Sequence, residues 1–310
     1  MSLTKFVFLL FLSPLILGWQ MYAAEWKLAL LDSFPKSTED SGFAIIKATA
    51  IDLDFQGNVY ILDRGRHQLL KFSPEGRPIK QIGGFGNAEE SFDDPRDVFA
   101  RTPLDVFIAD YNNARVVRYD KNLNFLSKLT SVFQPPFDFE RVLSVAVSPQ
   151  YDLFLLEDSQ NRVIKFSRFS DPTAAFGGFD DPYGQLLEPT DLALDGNDRV
   201  FVADPGQPAI VVFDYLGNYL TRIDHPDFQT PAALFWGADK NLYVADRGGR
   251  QIFVFAQGTR FSGVIDLKKQ ASGLVGVACV AASPEKPRRL YVLGVRHCFV
   301  FKTREKAAEK

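Results

Sequence analysis

Long apolar runs, helical periodicity, surplus positive charge and catalytic motifs are all scarce or missing from this 310-residue sequence. The apolar run at its start, "FVFLLFLSPLILGW" (6–19), has 14 residues, short for a membrane span of about 20. Preceded by Lys5, it suits the hydrophobic region of a signal peptide. Cleavage is expected near "MYAA" (21–24), although Tyr22 departs from a clean A-x-A site. Residues 1–24 are therefore read as a signal peptide and the protein as exported, either secreted or periplasmic. Retention as an uncleaved anchor is the alternative, and no membrane span is expected in the mature chain. No cysteine lies near this segment, which excludes a lipoprotein anchor. Net charge is −3, and −4 without the single lysine of residues 1–24. Phosphate binding needs clustered positive charge, so no nucleic-acid partner is expected.

The catalytic vocabulary is equally thin. There is no H-x-x-H, no G-x-S-x-G and no P-loop. "GGFGNAEESF" (83–92) is glycine-rich but opens no helix, so it reads as a loop. A zinc site needs three or four converging ligands, usually with two or more His or Cys. The only histidines, His67, His225 and His297, fall in a turn, a loop and a strand, and form no such spacing.

What is present is repetition. The 29 phenylalanines favour pleated, half-buried strands. One hexapeptide pattern recurs as "NVYILD" (58–63), "DVFIAD" (105–110), "DLFLLE" (152–157), "RVFVAD" (199–204), "NLYVAD" (241–246) and "RLYVLG" (289–294), at steps of 47, 47, 47, 42 and 48 residues. A polar turn and a second apolar strand follow each copy, for example "LLKF" (69–72) and "IFVF" (252–255). A small-residue strand precedes it, as in "DLALD" (191–195), and a more polar one ends the unit, as in "FLSKLT" (125–130). Four strands per 40–50 residues, repeated, predict an all-β, six-bladed β-propeller of four-stranded antiparallel blades. The sixth unit lacks its fourth strand, and an open edge invites aggregation. "WKLALLDSF" (26–34) fits that gap and is expected to close the ring. The propeller should span 25–301, followed by a charged tail at 302–310.

Units such as "PTDLALDGNDRVFVADPGQPAIVVFDYLGNYL" (189–220) resemble NHL repeats, with their G-N-x-Y-V-A-D-x-x-N-x-R-I-x-x-F pattern. The resemblance covers roughly residues 48–301 and implies the six-bladed propeller of that family. Unit six departs from it, with Gly294 in place of the acid and a turn two residues shorter. Function does not follow from the fold alone.

The repeat separates two kinds of acid. Asp63, Asp110, Glu157, Asp204 and Asp246 occupy one equivalent position, each closing the second strand. A catalytic group is needed once, whereas a turn cap is needed once per blade, so these five read as turn acids accepting N–H bonds from just ahead. Loss of Asp204 is then expected to cost about 1 kcal/mol. Residues that break the repeat are the better site candidates. Asp97 and Asp191 start the innermost strand where other blades carry Ala50, Ser144 and Ala233, with Arg96 and Arg141 nearby. They belong to the face that carries the long loops 92–97, 135–144, 179–191 and 225–232, whereas the opposite face should receive tight turns.

Two function classes follow. One is a binding or scaffolding module whose ligand, a protein or a small molecule or glycan, sits at the channel mouth on the long-loop face. The other is a channel-mouth lyase or hydrolase using the two aspartates. No organic cofactor is expected; a divalent cation such as calcium, held by oxygen ligands, is the one that carboxylates there would suit. Finally, Cys279 and Cys298 fall in the first and third strands of the last blade. One intervening strand puts them about 9–10 Å apart, beyond bridging distance, so both are expected to be free thiols.

Overall fold

The computed structural model describes residues 26–36, 41–131, 134–196, 199–269, 274–280 and 289–305. The segment 1–24 and the end of the tail, 306–310, lie outside the described residues. Six four-stranded antiparallel sheets form the molecule, each with its strands in sequential order except the last. Blade 1 shows the pattern, with strands Ala48–Leu53, Val59–Asp63, Gln68–Phe72 and Pro78–Gly83. The six first strands touch one another in a closed ring, so each is the innermost strand of its blade and lines a central channel. The second strand of blade 1 is wholly buried. The fourth strand of blade 2, "FLSKLT" at Phe125–Thr130, alternates because only one of its faces meets protein.

One aromatic residue per blade ties each sheet to the next. Tyr60, Phe107, Phe154, Phe201, Tyr243 and Tyr291 hold the same place in the second strand, and all are almost completely buried. Phe107 meets Phe169 and Phe154 meets Tyr215, in each case across to the following blade. Tyr291 donates its hydroxyl to the Pro74 carbonyl at 3.1 Å, joining the last blade to the first. Phe201 presses on Gly258, where φ is +84° and an added Cβ would lie 2.6 Å from the ring, so that turn needs glycine. Burying a large apolar side chain stabilises by about 1.5–3 kcal/mol, and this set repeats the gain around the ring.

The last blade is closed by the chain's beginning. Trp26–Phe34 pairs antiparallel with Cys298–Glu305, from Trp26 opposite Glu305 to Phe34 opposite Cys298. Phe34 is buried and packs on Phe72 of blade 1, with ring centroids 4.9 Å apart. The expected closure is therefore the observed one. Its register corrects the extent of the tail, because residues 302–305 are strand. Without them Trp26–Ala29 would have no ladder partner. His297 also differs from expectation: it lies in the shortened turn, its carbonyl accepting the Gly294 N–H at 2.8 Å, and the strand begins at Cys298.

Candidate ligand site

Each of the five acids that close a second strand is fully buried. Asp63 accepts from the N–H groups of Ile46 and Lys47, both at 2.8 Å, and of Gly65 at 3.0 Å. Asp204 accepts from Leu187 N (2.8 Å), Glu188 N (2.9 Å), Gly206 N (3.2 Å) and Gln207 Nε2 (2.6 Å). Asp246 does the same with Gln229 N, Thr230 N and Gly249 N. So these carboxylates cap the turn ahead and also anchor the loop arriving from the previous blade. The second role went unread in the sequence, although its signal was there: the anchored residue lies 17 positions back in four blades. Asp110 combines an anchored Asp93 N–H with Arg115, whose Nε lies at 2.7 Å. Glu157 reaches forward to Ser159, Gln160 and Arg162 instead. Burial pushes the pKa of Asp110 and of Glu157 up, against the pull of these donors.

The channel is built differently. Strand register puts Ala50, Asp97, Ser144, Asp191, Ala233 and Gly276 at one level around it. Half of this ring is polar, on three consecutive blades, and half is small. In five blades the register shifts just before this level. Such a bulge lets neighbours in sequence share a face, and Arg96 and Asp97 accordingly both line the same cavity of about 60 Å³.

Asp97 and Asp191 are stitched to their neighbours. Asp97 accepts the Val145 N–H of blade 3 at 2.9 Å, and Asp191 accepts the Leu234 N–H of blade 5 at 2.7 Å. Asp52, one layer deeper, accepts the Ala100 N–H of blade 2 at 2.7 Å. Inner strands turn an unpaired edge to the channel, and these carboxylates satisfy part of it. Replacing both Asp97 and Asp191 by Asn would therefore disturb blade contacts as well as any ligand.

Between the two acids stands Ser144. Its Oγ lies 2.7 Å from Asp97 Oδ2 and 2.7 Å from Asp191 Oδ1, and the Leu192 N–H donates to it at 3.2 Å. A hydroxyl has one proton to give. It can donate to one carboxylate only, so the second contact is a hydrogen bond when the other carboxyl carries a proton. The serine therefore couples the titration of the two acids. Burial and then the charge of Asp191 hold Asp97 well above the usual carboxylate range. Burial also raises Asp191, to about 6, against the Leu234 N–H and the Ser144 hydroxyl. Arg247 leans over the same cavity, donating to the Val275 carbonyl at 3.2 Å; burial lowers its pKa and Asp191 opposes that.

At the mouth, Arg96 and Arg141 are brought together by an aromatic ring. Their guanidinium carbons lie 4.3 and 5.5 Å from the Tyr111 centroid. Asp94 accepts from Arg64 Nε at 2.7 Å and from Arg96 Nη2 at 2.6 Å, while the Tyr111 hydroxyl donates to Asp158. The outcome is an arginine-rich rim over a serine-bridged pair of buried carboxylates. Sequence reasoning found Arg96, Arg141, Asp97 and Asp191, and missed Tyr111, Arg247 and the bridging role of Ser144. Only the fold brings residues 96, 141 and 247 together.

The histidines stand apart. His67 accepts the Asp94 N–H at 3.0 Å, and His225 sits among Phe228, Phe253 and Phe261, where burial lowers its pKa. Among the described residues no three His, Cys, Asp or Glu side chains converge as metal ligands. Cys298 is a free, buried thiol on the third strand of the last blade, while Cys279 lies on the first. Burial pushes the Cys298 pKa up.

Fold and channel define a six-bladed β-propeller. The chain is similar in structure to virginiamycin B lyase from Staphylococcus aureus, at 13% identity, TM-score 0.57, over 92% of this chain and 90% of that one. A catalytically inactive histidine-to-alanine form of that lyase, with quinupristin, matches at 12% identity and TM-score 0.60, over 90% and 99%. The WD40 β-propeller domain of Doa1 matches at 10% identity and TM-score 0.59, over 89% and 97%. At such identities the likeness is one of fold. No protein-family model and no curated protein matches the chain.

Proposed function

We propose that this chain is an exported, NHL-type propeller that works as a binding module, taking a protein, glycan or other small ligand at the long-loop mouth of its channel. The observation that carries this reading is the rim itself: Arg96 and Arg141 held on one tyrosine ring above Asp97, Ser144 and Asp191. Residues that break the repeat gather where six blades jointly build a concavity, which is where ligands are usually taken. Guanidinium groups beside carboxyls that burial pushes toward the protonated form suit a ligand carrying an acid group and hydroxyls.

A channel-mouth lyase is the second reading, favoured by the likeness to virginiamycin B lyase. In that protein one histidine-to-alanine change goes with catalytic inactivity. Among the described residues of this chain no histidine lines the channel cavity, which favours binding over an equivalent chemistry. The test is a thermal-shift and calorimetric screen of the mature protein against acidic and neutral oligosaccharides and acidic peptides. A ligand that stabilises the parent protein should lose affinity in Arg96→Ala and in Arg141→Ala, both of which should stay folded. Ligands whose affinity ignores both changes would place recognition elsewhere. Turnover of a bound ligand would turn the reading to the enzyme.

A further inference from the structure

The face that receives the tight turns carries the roomier concavity. A cup of about 780 Å³ opens there, against about 60 Å³ for the channel cavity. Pockets for small organic ligands commonly measure about 300–1,000 Å³ and are mostly apolar with a few placed polar groups. This cup meets both conditions. Its apolar wall includes Phe55, Phe99, Tyr151 and Trp236, drawn from four blades. Phe55 is 75% exposed, although its position in a turn would suit a polar residue better. Trp236 is fixed by stacking on Phe201, with rings 5.9 Å apart and 13° from parallel.

Arg101 forms the partition between cup and channel, lining both. Its guanidinium lies between the rings of Phe99 and Phe235, at 4.8 and 4.7 Å. Nε faces Asp52 at 3.1 Å and Nη1 donates to the Trp236 carbonyl at 3.1 Å, so one edge is fixed and Nη2 has no hydrogen-bond partner among the described residues. Arg199 and Lys240 also line the cup, and Lys240 is exposed with no ion-pair partner among the described residues. Asp195 is the one acid among the described lining residues, paired with Arg199 at 2.6 Å. The lining thus carries three cations and one acid, in a protein whose net charge is negative.

We infer that this cup is a second binding site, for a small amphipathic anion with a flat apolar body and one acidic head group. Stacking surfaces accept the body, while Lys240 at the rim and Arg101 at the floor attract the charge. The two mouths then differ in chemistry: a polar, arginine-rich one on the long-loop face, and an aromatic one here. Calorimetric titration of the whole mature protein with naphthoate and with the neutral naphthamide tests this. Naphthoate should bind at one site, about tenfold tighter than naphthamide. Lys240→Glu should remove most of that preference. Ala238→Trp, at an exposed lining position, should obstruct part of the cup and weaken both about tenfold or more while the melting temperature holds. Equal affinity for the two compounds, affinities unchanged by Ala238→Trp, or no binding of naphthoate would each overturn the assignment. Naphthoate binding that ignores Ala238→Trp and falls in Arg96→Ala would move the anion to the arginine rim and overturn the cup alone.

Discussion

Turn acids and channel acids are the same chemical group in two settings, and the settings decide what they do. Asp204 has four donors around it, all from its own turn or the loop it anchors. Nothing competes for its charge. Asp97 and Asp191 also accept backbone N–H groups, but from the next blade, and they meet across one serine hydroxyl. Two carboxylates with one hydroxyl proton between them cannot both stay charged without losing a hydrogen bond. Donor count does not separate the two classes, since Asp63, Asp246, Asp97 and Asp191 each accept three hydrogen bonds. The neighbouring charge does: a buried acid with donors of its own is a structural anchor, and a buried pair that meets on one hydroxyl becomes sensitive to pH.

The scale for breaking this comparison is set by the strand that closes the ring, because both classes act on blades that already exist. Deleting residues 26–34 bares the edge of Cys298–Glu305 and removes the Phe34 contact with blade 1. It should give the largest loss, seen as a steep fall in melting temperature or as aggregation. A truncated protein that melts like the parent protein would remove closure from the account.

Next comes Asp204→Ala. The four hydrogen bonds raise its expected cost above the 1 kcal/mol of a simple cap, to about 2–4 kcal/mol, since several buried donors are orphaned together. Urea denaturation would measure it, and a cost near 1 kcal/mol would show that water takes over the anchored loop.

Asp97→Asn sharpens the contrast. Both channel acids have folded pKa values raised above the ordinary 3.8, Asp191 to about 6 and Asp97 well above 3.8. A raised pKa favours the protonated folded form, so that stability is complete below about pH 4. It is lost as pH rises through about 6 and onward to the Asp97 titration. Asn cannot titrate. The stability of the parent protein relative to Asp97→Asn should therefore fall as pH rises from about 4 through about 6 and beyond. A difference that stays flat over that range would mean that the two acids are not coupled.

The smallest effect belongs to Arg141→Ala. Its side chain is 57% exposed and its ion pair with Asp158 is loose, at 3.9 Å. Stability should change by less than about 0.5 kcal/mol. Ligand affinity at the rim should change far more, and equal small changes in both would count against the rim as the binding surface.

Much of this was legible along the chain, because a propeller writes its period into the sequence. The hexapeptide ending in Asp or Glu located the second strands, and "WKLALLDSF" matched the closing strand residue for residue, Trp26 to Phe34. Aligning the repeats also placed Asp97 and Asp191 at one level with Ala50, Ser144 and Ala233, as the register has it. The strand character of 302–305 was hidden because "KTRE" is polar, and an outer ladder draws on backbone hydrogen bonds that composition does not report.

By itself, then, the sequence determined the blade count, the order of strands and the manner of closure, since these rest on periodic burial that any one repeat displays. Tertiary structure alone decided the rest. The serine hydroxyl between residues 97 and 191, the tyrosine ring that gathers Arg96 and Arg141, and the aromatic cup around Arg101 each join side chains from different blades. Blade-to-blade distances of this kind depend on how the ring closes, and no spacing along the chain encodes them.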